Sequence, residues 1–174
     1  LVHRRLSIID LSPSGKQPMI SPDGRLIITY NGEIYNYLEL RKELEREGVS
    51  FRSKSDTEVL LHLYAKHGAR MLGKLSGMFA FAIWDQEKRE LFFARDPLGQ
   101  KPFFYRTDHA SFAFASDIRA VKNEKEKVDW SAVRLFLGLQ YVPAPQTGYA
   151  NISSLPKGSC GVYSDGKLEI QSYI

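Results

Sequence analysis

The chain has 174 residues, 43% of them hydrophobic and 25% charged, and its formal charge of +4 comes from 24 basic and 20 acidic side chains. These values are typical of one globular domain, and because basic residues are interleaved with acidic ones they exclude a dedicated nucleic-acid-binding patch. A single cysteine excludes an internal disulfide and fits a reducing, cytoplasmic location, while the lack of any apolar run of roughly 18 residues excludes a membrane-spanning helix.

The first predicted element is a strand at residues 26–29, which is followed by the pair Asn31-Gly32. An Asn-Gly pair is the strongest short signal for a hairpin turn, so we expect the chain to leave the strand here. A turn of this kind also brings a side-chain amide and a bare backbone N–H to one spot. Because two such donors are what acyl-transfer chemistry needs around a developing oxyanion, the pair predicts either a simple turn or an oxyanion site.

Two amphipathic helices are predicted after this pair, and a short helix at residues 69–75 follows them. Each amphipathic helix begins with a cap residue and an acid three positions later, which is the spacing of a capping box, and each ends near a glycine. Apolar residues recur at helical spacing inside both segments. The two cap–acid pairs and the two glycines are Asn36 with Glu39, Ser55 with Glu58, Gly48 and Gly68.

The second half of the chain alternates short apolar runs with turn residues, which predicts hairpins. One further helix is expected at residues 130–137, with Asp129 as its cap and Gly138 as its stop. Since helices come early and hairpins late, the pattern predicts the α+β class, and the two-sided apolar run at residues 78–83 predicts a strand buried on both faces. The hairpins pair residues 79–84 with 91–94, 103–105 with 112–115, and 161–163 with 167–170.

Several segments follow one another in an order that resembles the glutaminase domain, a class II glutamine amidotransferase, of the asparagine synthetase family. The most specific is Tyr-Asn-Gly-Glu-Ile-Tyr-Asn at residues 30–36. The resemblance covers essentially all 174 residues, although Gln100 stands where an apolar residue is more usual. The other matching segments are residues 3–10, 17–19, 55–58, 77–85, 94–102, 115–120 and 155–158.

The resemblance implies the N-terminal-nucleophile hydrolase fold, a four-layer α-β-β-α sandwich of two antiparallel sheets, with residues 1–174 as one type 2 amidotransferase domain. It implies an enzyme that hydrolyses L-glutamine to glutamate and ammonia for an ATP-dependent amidation, most simply of aspartate, in a C-terminal synthetase domain. ATP and magnesium are expected only in that second domain. We expect no cofactor and no metal in this one, whose sequence contains no glycine-rich nucleotide-binding run.

The resemblance also implies roles for individual residues. The family's oxyanion hole corresponds to the Asn31 side chain and the Gly32 N–H, while Arg5 would bind the substrate α-carboxylate and Asp56 its α-ammonium. Glu33 would accept hydrogen bonds from the amide or the α-amino group of the substrate. Structural alternatives exist, because Arg5 could be a solvated charge and Asp56 could simply stabilise a helix N-terminus. The remaining pocket positions are Leu6, Ser7, Ile8 and Ile9.

The nucleophile of this family is a cysteine at the mature N-terminus, whose own α-amino group serves as general base. Residue 1 here is leucine, and the only cysteine is Cys160, which its position at the start of a predicted strand identifies as a buried packing residue. The resemblance therefore implies a domain truncated at its start, with its first strand missing. We expect such a fragment to be inactive by itself.

Three alternatives stay open beside this interpretation. Another class II branch, for glucosamine-phosphate or phosphoribosylamine synthesis, is disfavoured by Tyr30 and Glu33, since those relatives usually carry His before Asn-Gly. An amidotransferase whose acceptor is not aspartate is equally compatible with this domain. The third alternative is a non-catalytic module that binds an amino acid or a protein. A sheet edge exposed by a missing first strand would also predict self-association as a homodimer.

Overall fold

The computed structural model describes residues 1–3, 15–108, 111–124 and 126–174. Nine strands, four α-helices and one 3₁₀ helix lie within these ranges. In chain order they are β1 (Met19–Ile20), β2 (Leu26–Ile34), α1 (Tyr37–Arg46), α2 (Asp56–His67), the 3₁₀ helix (Gly68–Lys74), β3 (Gly77–Asp85), β4 (Glu90–Arg95), β5 (Phe104–Thr107), β6 (Phe112–Ala115), α3 (Ile118–Val121), α4 (Trp130–Leu139), β7 (Ser153–Ser154), β8 (Ser159–Ser164) and β9 (Lys167–Ser172).

The strands form two antiparallel sheets, which confirms the predicted α+β class and sheet type. The larger sheet has six strands in the order β1-β2-β3-β4-β8-β9, and the smaller has three in the order β6-β5-β7. All three predicted hairpins are present, as β3–β4, β5–β6 and β8–β9. In the part of the chain that is described, no helix is long and apolar enough to cross a membrane.

Two apolar clusters hold the layers together. One lies between the six-stranded sheet and helices α1 and α2, and the other lies between the two sheets. The short helix α3 packs on β5 and β6 of the smaller sheet, which gives the layer order helix, sheet, sheet, helix. The second cluster is rich in aromatic rings, and Phe93 of β4 stacks on Phe103 with 5.2 Å between ring centroids.

The central strand β3 is buried on both faces, as its apolar run predicts. Phe79, Phe81 and Ile83 belong to the cluster under the helices, whereas Ala80 and Ala82 belong to the cluster between the sheets. Each of these five side chains is at most 5% exposed. The small residues on the inter-sheet side leave room there, and this room becomes part of the cavity described below.

The predicted turn at Asn31-Gly32 is wrong. Strand β2 continues through both residues to Ile34, and its register with β3 is unbroken from the pair Leu26–Asp85 to the pair Ile34–Gly77. A nine-residue ladder with a buried partner strand outweighs the local turn preference of two residues. Gly32 still uses the freedom of glycine, since its φ is +151°.

Both predicted capping boxes are corrected by the structure. The Asn36 side chain makes no cap bond to α1, and instead donates to the Lys74 carbonyl and accepts from the Ser76 N–H. Ser55 does cap α2, because its hydroxyl accepts from a backbone N–H of the first turn. Its expected reciprocal partner Glu58 turns away, because Glu58 accepts from backbone N–H groups of the preceding loop at 2.7 and 2.8 Å.

The glycine stops are right for the first two helices and wrong for the last. Gly68 is the C-cap of α2 with φ of +55°, and Gly48 follows the end of α1 with φ of +89°. Helix α4 begins after its predicted cap Asp129, but it runs through Gly138 to Leu139, and Gln140 takes the left-handed conformation instead. A helix tolerates a single glycine in its interior. Gly138 therefore does not end α4, which continues for one more residue.

Candidate active site

A cavity of about 420 Å³ opens between the two sheets. Its walls come from β2 and β3, from the N-terminus of α2, from the connection between β4 and β5, and from the end of β6. This volume lies within the range of small-molecule sites. Polar and charged side chains enter it from several elements, namely Asn31, Glu33, Asp56 and Lys101, together with His3, Gln17, Thr29, Ser55, Thr57 and Ser116.

Strand alternation explains which β2 side chains face this cavity. Ile28 and Tyr30 belong to the cluster under the helices, so the residues between and beyond them point to the opposite face. Asn31 and Glu33 are on that face and line the cavity. Asn31 lies opposite Ala80 in the ladder, so the short methyl side chain of its neighbour leaves the amide uncovered.

The backbone N–H of Gly32 points away from β3. In an antiparallel ladder the N–H groups of alternate residues point to the same side. The Tyr30 N–H donates to Gln17 Oε1 at 2.7 Å and the Ile34 N–H donates to Asp56 Oδ2 at 3.1 Å, and both acceptors lie on the side of β2 away from β3. The Gly32 N–H therefore points to the same edge, midway between these two contacts.

Asn31 and Gly32 therefore lie next to each other at one corner of the cavity, with the Asn31 side chain on the face of the sheet and the Gly32 N–H at its edge. Two hydrogen-bond donors that converge on one point can stabilise an anionic oxygen. The two predicted oxyanion donors are thus brought together by a strand rather than by a turn.

Asp56 is held tightly between β2 and α2. It is 4% exposed, and its Oδ2 accepts from the Tyr30 hydroxyl at 2.8 Å as well as from the Ile34 N–H. Burial raises the pKa of the Asp56 carboxyl, while the hydrogen bonds from Tyr30 and Ile34 act in the opposite direction. Burial, together with the neighbouring Asp56 charge, raises the pKa of the Tyr30 hydroxyl, which therefore stays protonated as a donor.

Replacing Tyr30 by phenylalanine is expected to lower the free energy of unfolding by about 1–3 kcal/mol, because a buried carboxylate loses one of its donors. The matched control is Tyr35→Phe, since Tyr35 is 56% exposed and should lose less than about 0.5 kcal/mol. Urea denaturation of both variants and of the unsubstituted protein measures the difference. Equal losses in the two variants would show that the bond between Tyr30 and Asp56 does not stabilise the fold.

Gln17 and Lys101 are cavity residues that sequence analysis missed. Gln17 lies in a matching segment and is 7% exposed. Its Oε1 accepts from the Tyr30 N–H, and its Nε2 donates to Thr57 Oγ1 at 3.5 Å. Lys101 brings a positive charge to a cavity that also contains Glu33 and Asp56. The sequence signal for Lys101 was a charged residue inside a segment that matches the family. Such a signal does not indicate where the side chain points.

Arg95 and Asp96 fix the loop that carries Lys101. Asp96 is fully buried and accepts from the Lys101 N–H at 2.9 Å, and the Arg95 guanidinium donates to the Lys101 carbonyl at 2.7 Å. Further bonds run from Asp96 to the Gln100 N–H and from Arg95 to the Gly99 carbonyl. Asp96 accepts only from backbone N–H groups among its described hydrogen bonds, and Arg95 donates to backbone carbonyls and to the Ser154 hydroxyl.

The structure places the other predicted residues as follows. Asn31, Gly32, Glu33 and Asp56 all line the cavity. The predicted substrate-binding positions Arg5, Leu6, Ser7, Ile8 and Ile9 lie outside the described residues. Cys160 is 2% exposed in β8 and is not among the described residues that line the cavity, and burial raises the pKa of its thiol. The prediction of a packing cysteine is confirmed.

Comparisons with known proteins identify the relatives of this chain. The family model described as "Glutamine amidotransferase domain" matches residues 1–174. The chain is 41% identical over 173 residues to "Asparagine synthetase [glutamine-hydrolyzing] 1" of Bacillus subtilis, a match that covers 98% of this chain and 27% of that protein. It is 40% identical over 177 residues to "Asparagine synthetase [glutamine-hydrolyzing] 3" of the same organism, with 98% and 29% covered.

Among solved structures, the fold is similar to that of the glutamine phosphoribosylpyrophosphate amidotransferase from B. subtilis complexed with ADP and GMP. The TM-score is 0.68 at 23% identity, and the match covers 99% of this chain and 34% of that one. At this identity the likeness concerns the fold alone. The chain thus spans 27% to 29% of the length of the two curated relatives described above.

Proposed function

Because the chain belongs to the glutamine amidotransferase domain family, we propose that its cavity binds L-glutamine and stabilises the oxyanion that forms when the side-chain amide is hydrolysed to glutamate and ammonia. The observation that carries this proposal is the corner at which Asn31 and Gly32 lie next to each other. Preorganised donors of this kind stabilise a developing negative charge without reorganising at the moment of reaction.

The charges around the cavity suit a free amino acid. Asp56 and Glu33 supply negative charge for an α-ammonium group, and Lys101 supplies positive charge for an α-carboxylate. Arg5 is a second candidate for the carboxylate, because a guanidinium binds it through two parallel hydrogen bonds. Asp56 is the stronger partner for the ammonium, since an arriving cation stabilises the charged form of a carboxyl that burial otherwise disfavours.

The chemistry requires a cysteine nucleophile, and Cys160, the only cysteine in residues 1–174, does not line the cavity. A cysteine thiol outside them would give its proton to an α-amino group and attack the amide carbon as the thiolate. The α-amino group would then pass the proton to the departing nitrogen, which leaves as ammonia. Water would then attack the thioester, form a second oxyanion at the same donors and release glutamate together with the free thiol. Residues Asn31 and Gly32 stabilise both oxyanions in this scheme.

We extend the proposal to the complete polypeptide, meaning residues 1–174 with the natural sequence on either side. Its other part would use ATP and magnesium to activate a carboxylate, most simply that of aspartate, and the ammonia would attack this activated group. The names of the two B. subtilis relatives support this acceptor. A cytoplasmic location would supply the substrates and keep the thiol reduced.

An analogue that lacks the α-amino group tests how the cavity recognises its substrate. Glutaramate, which is L-glutamine without that group, should be hydrolysed by the complete polypeptide with at least a tenfold lower kcat/KM, because an ion pair with a buried carboxylate is lost. Asp56→Asn should lower kcat/KM for L-glutamine by a similar factor and leave that for glutaramate nearly unchanged.

Glu39→Gln is the matched control for this experiment, because Glu39 is also an acid in the first turn of a helix but is exposed. We expect it to change neither rate by more than twofold. If Asp56→Asn lowered both rates equally, Asp56 would be a structural residue without a direct role in binding. If neither substrate were hydrolysed by the folded, unsubstituted polypeptide, the proposed function itself would be wrong.

A further inference from the structure

Helix α4 exposes most of its apolar side chains. Trp130 is 72% exposed and Leu137 is 70% exposed, whereas Ala132 is the one residue of the helix that is buried. Tyr141, directly after the helix, is 60% exposed. We call this surface the α4 face and define it by its five largest exposed side chains, which are Trp130, Phe136, Leu137, Leu139 and Tyr141.

The composition of α4 is that of a helix with neighbours on several sides. Its sequence Trp-Ser-Ala-Val-Arg-Leu-Phe-Leu-Gly-Leu contains one charged residue, Arg134. Helix α1 has the same length but carries six charged residues, in the sequence Tyr-Leu-Glu-Leu-Arg-Lys-Glu-Leu-Glu-Arg, and only Leu40 and Leu44 are buried in it. A helix that is apolar around most of its circumference is normally buried. Exposed apolar side chains concentrated on one short helix indicate an interaction site.

We propose that the α4 face docks against another domain of the same complete polypeptide. The two curated relatives are more than three times as long as their match to this chain, since it covers only 27% and 29% of them. This proposal rests on the proposed function only to the extent that a second domain receives the ammonia. A docked domain would bury the apolar side chains. It would also hold the glutamine site and the site that receives the ammonia at a fixed distance from each other.

The size of the α4 face favours a tethered domain over a second copy of this chain. A helix of ten residues is about 15 Å long and about 10 Å wide, so two copies that met only there would each cover on the order of 150 Å². A stable interface between separate proteins needs roughly 800 Å² per partner. A domain linked by a short flexible segment has an effective concentration in the millimolar range, so a smaller patch can suffice to position it.

Hydroxyl-radical footprinting of the complete polypeptide, read by mass spectrometry of individual residues, tests the proposal. Leu137 and Leu38 form a matched pair of the same residue type, because Leu137 is 70% exposed on α4 and Leu38 is 54% exposed on α1. If the α4 face is docked, Leu137 should be modified at least fivefold more slowly than Leu38, and Trp130 should be protected with it. Modification of Leu137 at the same rate as Leu38, or faster, would overturn the proposal.

A variant separates docking from folding and from glutamine hydrolysis. Leu137→Asp should restore rapid modification of Trp130, while ammonia release from L-glutamine continues and ammonia transfer to the acceptor falls. Leu38→Asp, the control on α1, should change none of these readouts. Protection of Trp130 that depended on protein concentration, with a monomer–dimer equilibrium in sedimentation, would identify a second copy as the occupant and overturn the proposal.

Discussion

Replacing Gly32 by alanine is expected to abolish glutamine hydrolysis and to lower the free energy of unfolding by at least about 3 kcal/mol. A Cβ atom at this position would lie 2.1 Å from the Met78 carbonyl oxygen and 2.8 Å from the Phe79 Cα. Both neighbours are backbone atoms of β3, which pairs with β2 along its whole length, so neither can yield without moving β3. The φ of +151° adds a conformational cost of about 1–3 kcal/mol for any residue with a side chain.

Gly24→Ala separates the steric clash from the conformational cost. Gly24 also has a positive φ, +77°, but nothing lies within 4 Å of a Cβ atom placed there. This variant should lose only about 1–2 kcal/mol and retain its activity. The measurements are urea denaturation and ammonia release from L-glutamine by the complete polypeptide. Similar losses in the two variants would mean that β2 and β3 can separate easily, which would contradict the close approach on which the corner depends.

Asn31→Ala is expected to lower kcat for L-glutamine by about 10²–10³-fold and to change KM by less than about threefold. The reason is that the amide donates to an oxygen whose negative charge exists only in the transition state and the intermediates. Thr29→Val is the matched control, because Thr29 lies two residues earlier on the same face of β2 and also lines the cavity. It should change kcat by less than about threefold.

Steady-state kinetics on the complete polypeptide distinguishes transition-state stabilisation by Asn31 from ground-state binding. A large rise in KM with kcat unchanged would assign Asn31 to ground-state binding of the substrate. Unchanged kinetics would remove it from the reaction altogether. Thermal unfolding of the same samples checks that β2 and β3 remain paired, since Asn31 is only half-buried and its replacement leaves no large void.

The class of the fold could be predicted from the order of its elements, because hairpins depend on local turn chemistry and all three are present. The burial of β3 on both faces also follows from its unbroken apolar run. Sequence alone could not show that β2 continues through Asn31 and Gly32. The pairing of β2 with β3 joins residues that are up to 59 positions apart, as in the pair Leu26–Asp85. A local preference cannot report such a distant partner.

The candidate site, like the fold, could be predicted from the sequence only in part. Asn31 and Gly32 could be recognised by their chemistry, while the direction of the Gly32 N–H became clear only from the acceptors beside it, Gln17 and Asp56. Lys101 could not be predicted as a site residue. Its position depends on a loop that Arg95 and Asp96 fix through hydrogen bonds to the loop backbone. Side-chain direction in a loop is a tertiary property that residue spacing does not encode.

The most direct test of the central claim is the release of glutamate and ammonia from L-glutamine by the complete polypeptide, compared with its Cys160→Ala variant and with residues 1–174 alone. We predict equal amounts of the two products, the same rate in the Cys160→Ala variant, and no hydrolysis by residues 1–174. Hydrolysis that disappears with Cys160 would place the nucleophile in β8 and contradict the account. A folded complete polypeptide that hydrolyses no glutamine, even with ATP, magnesium and aspartate present, would contradict it as well.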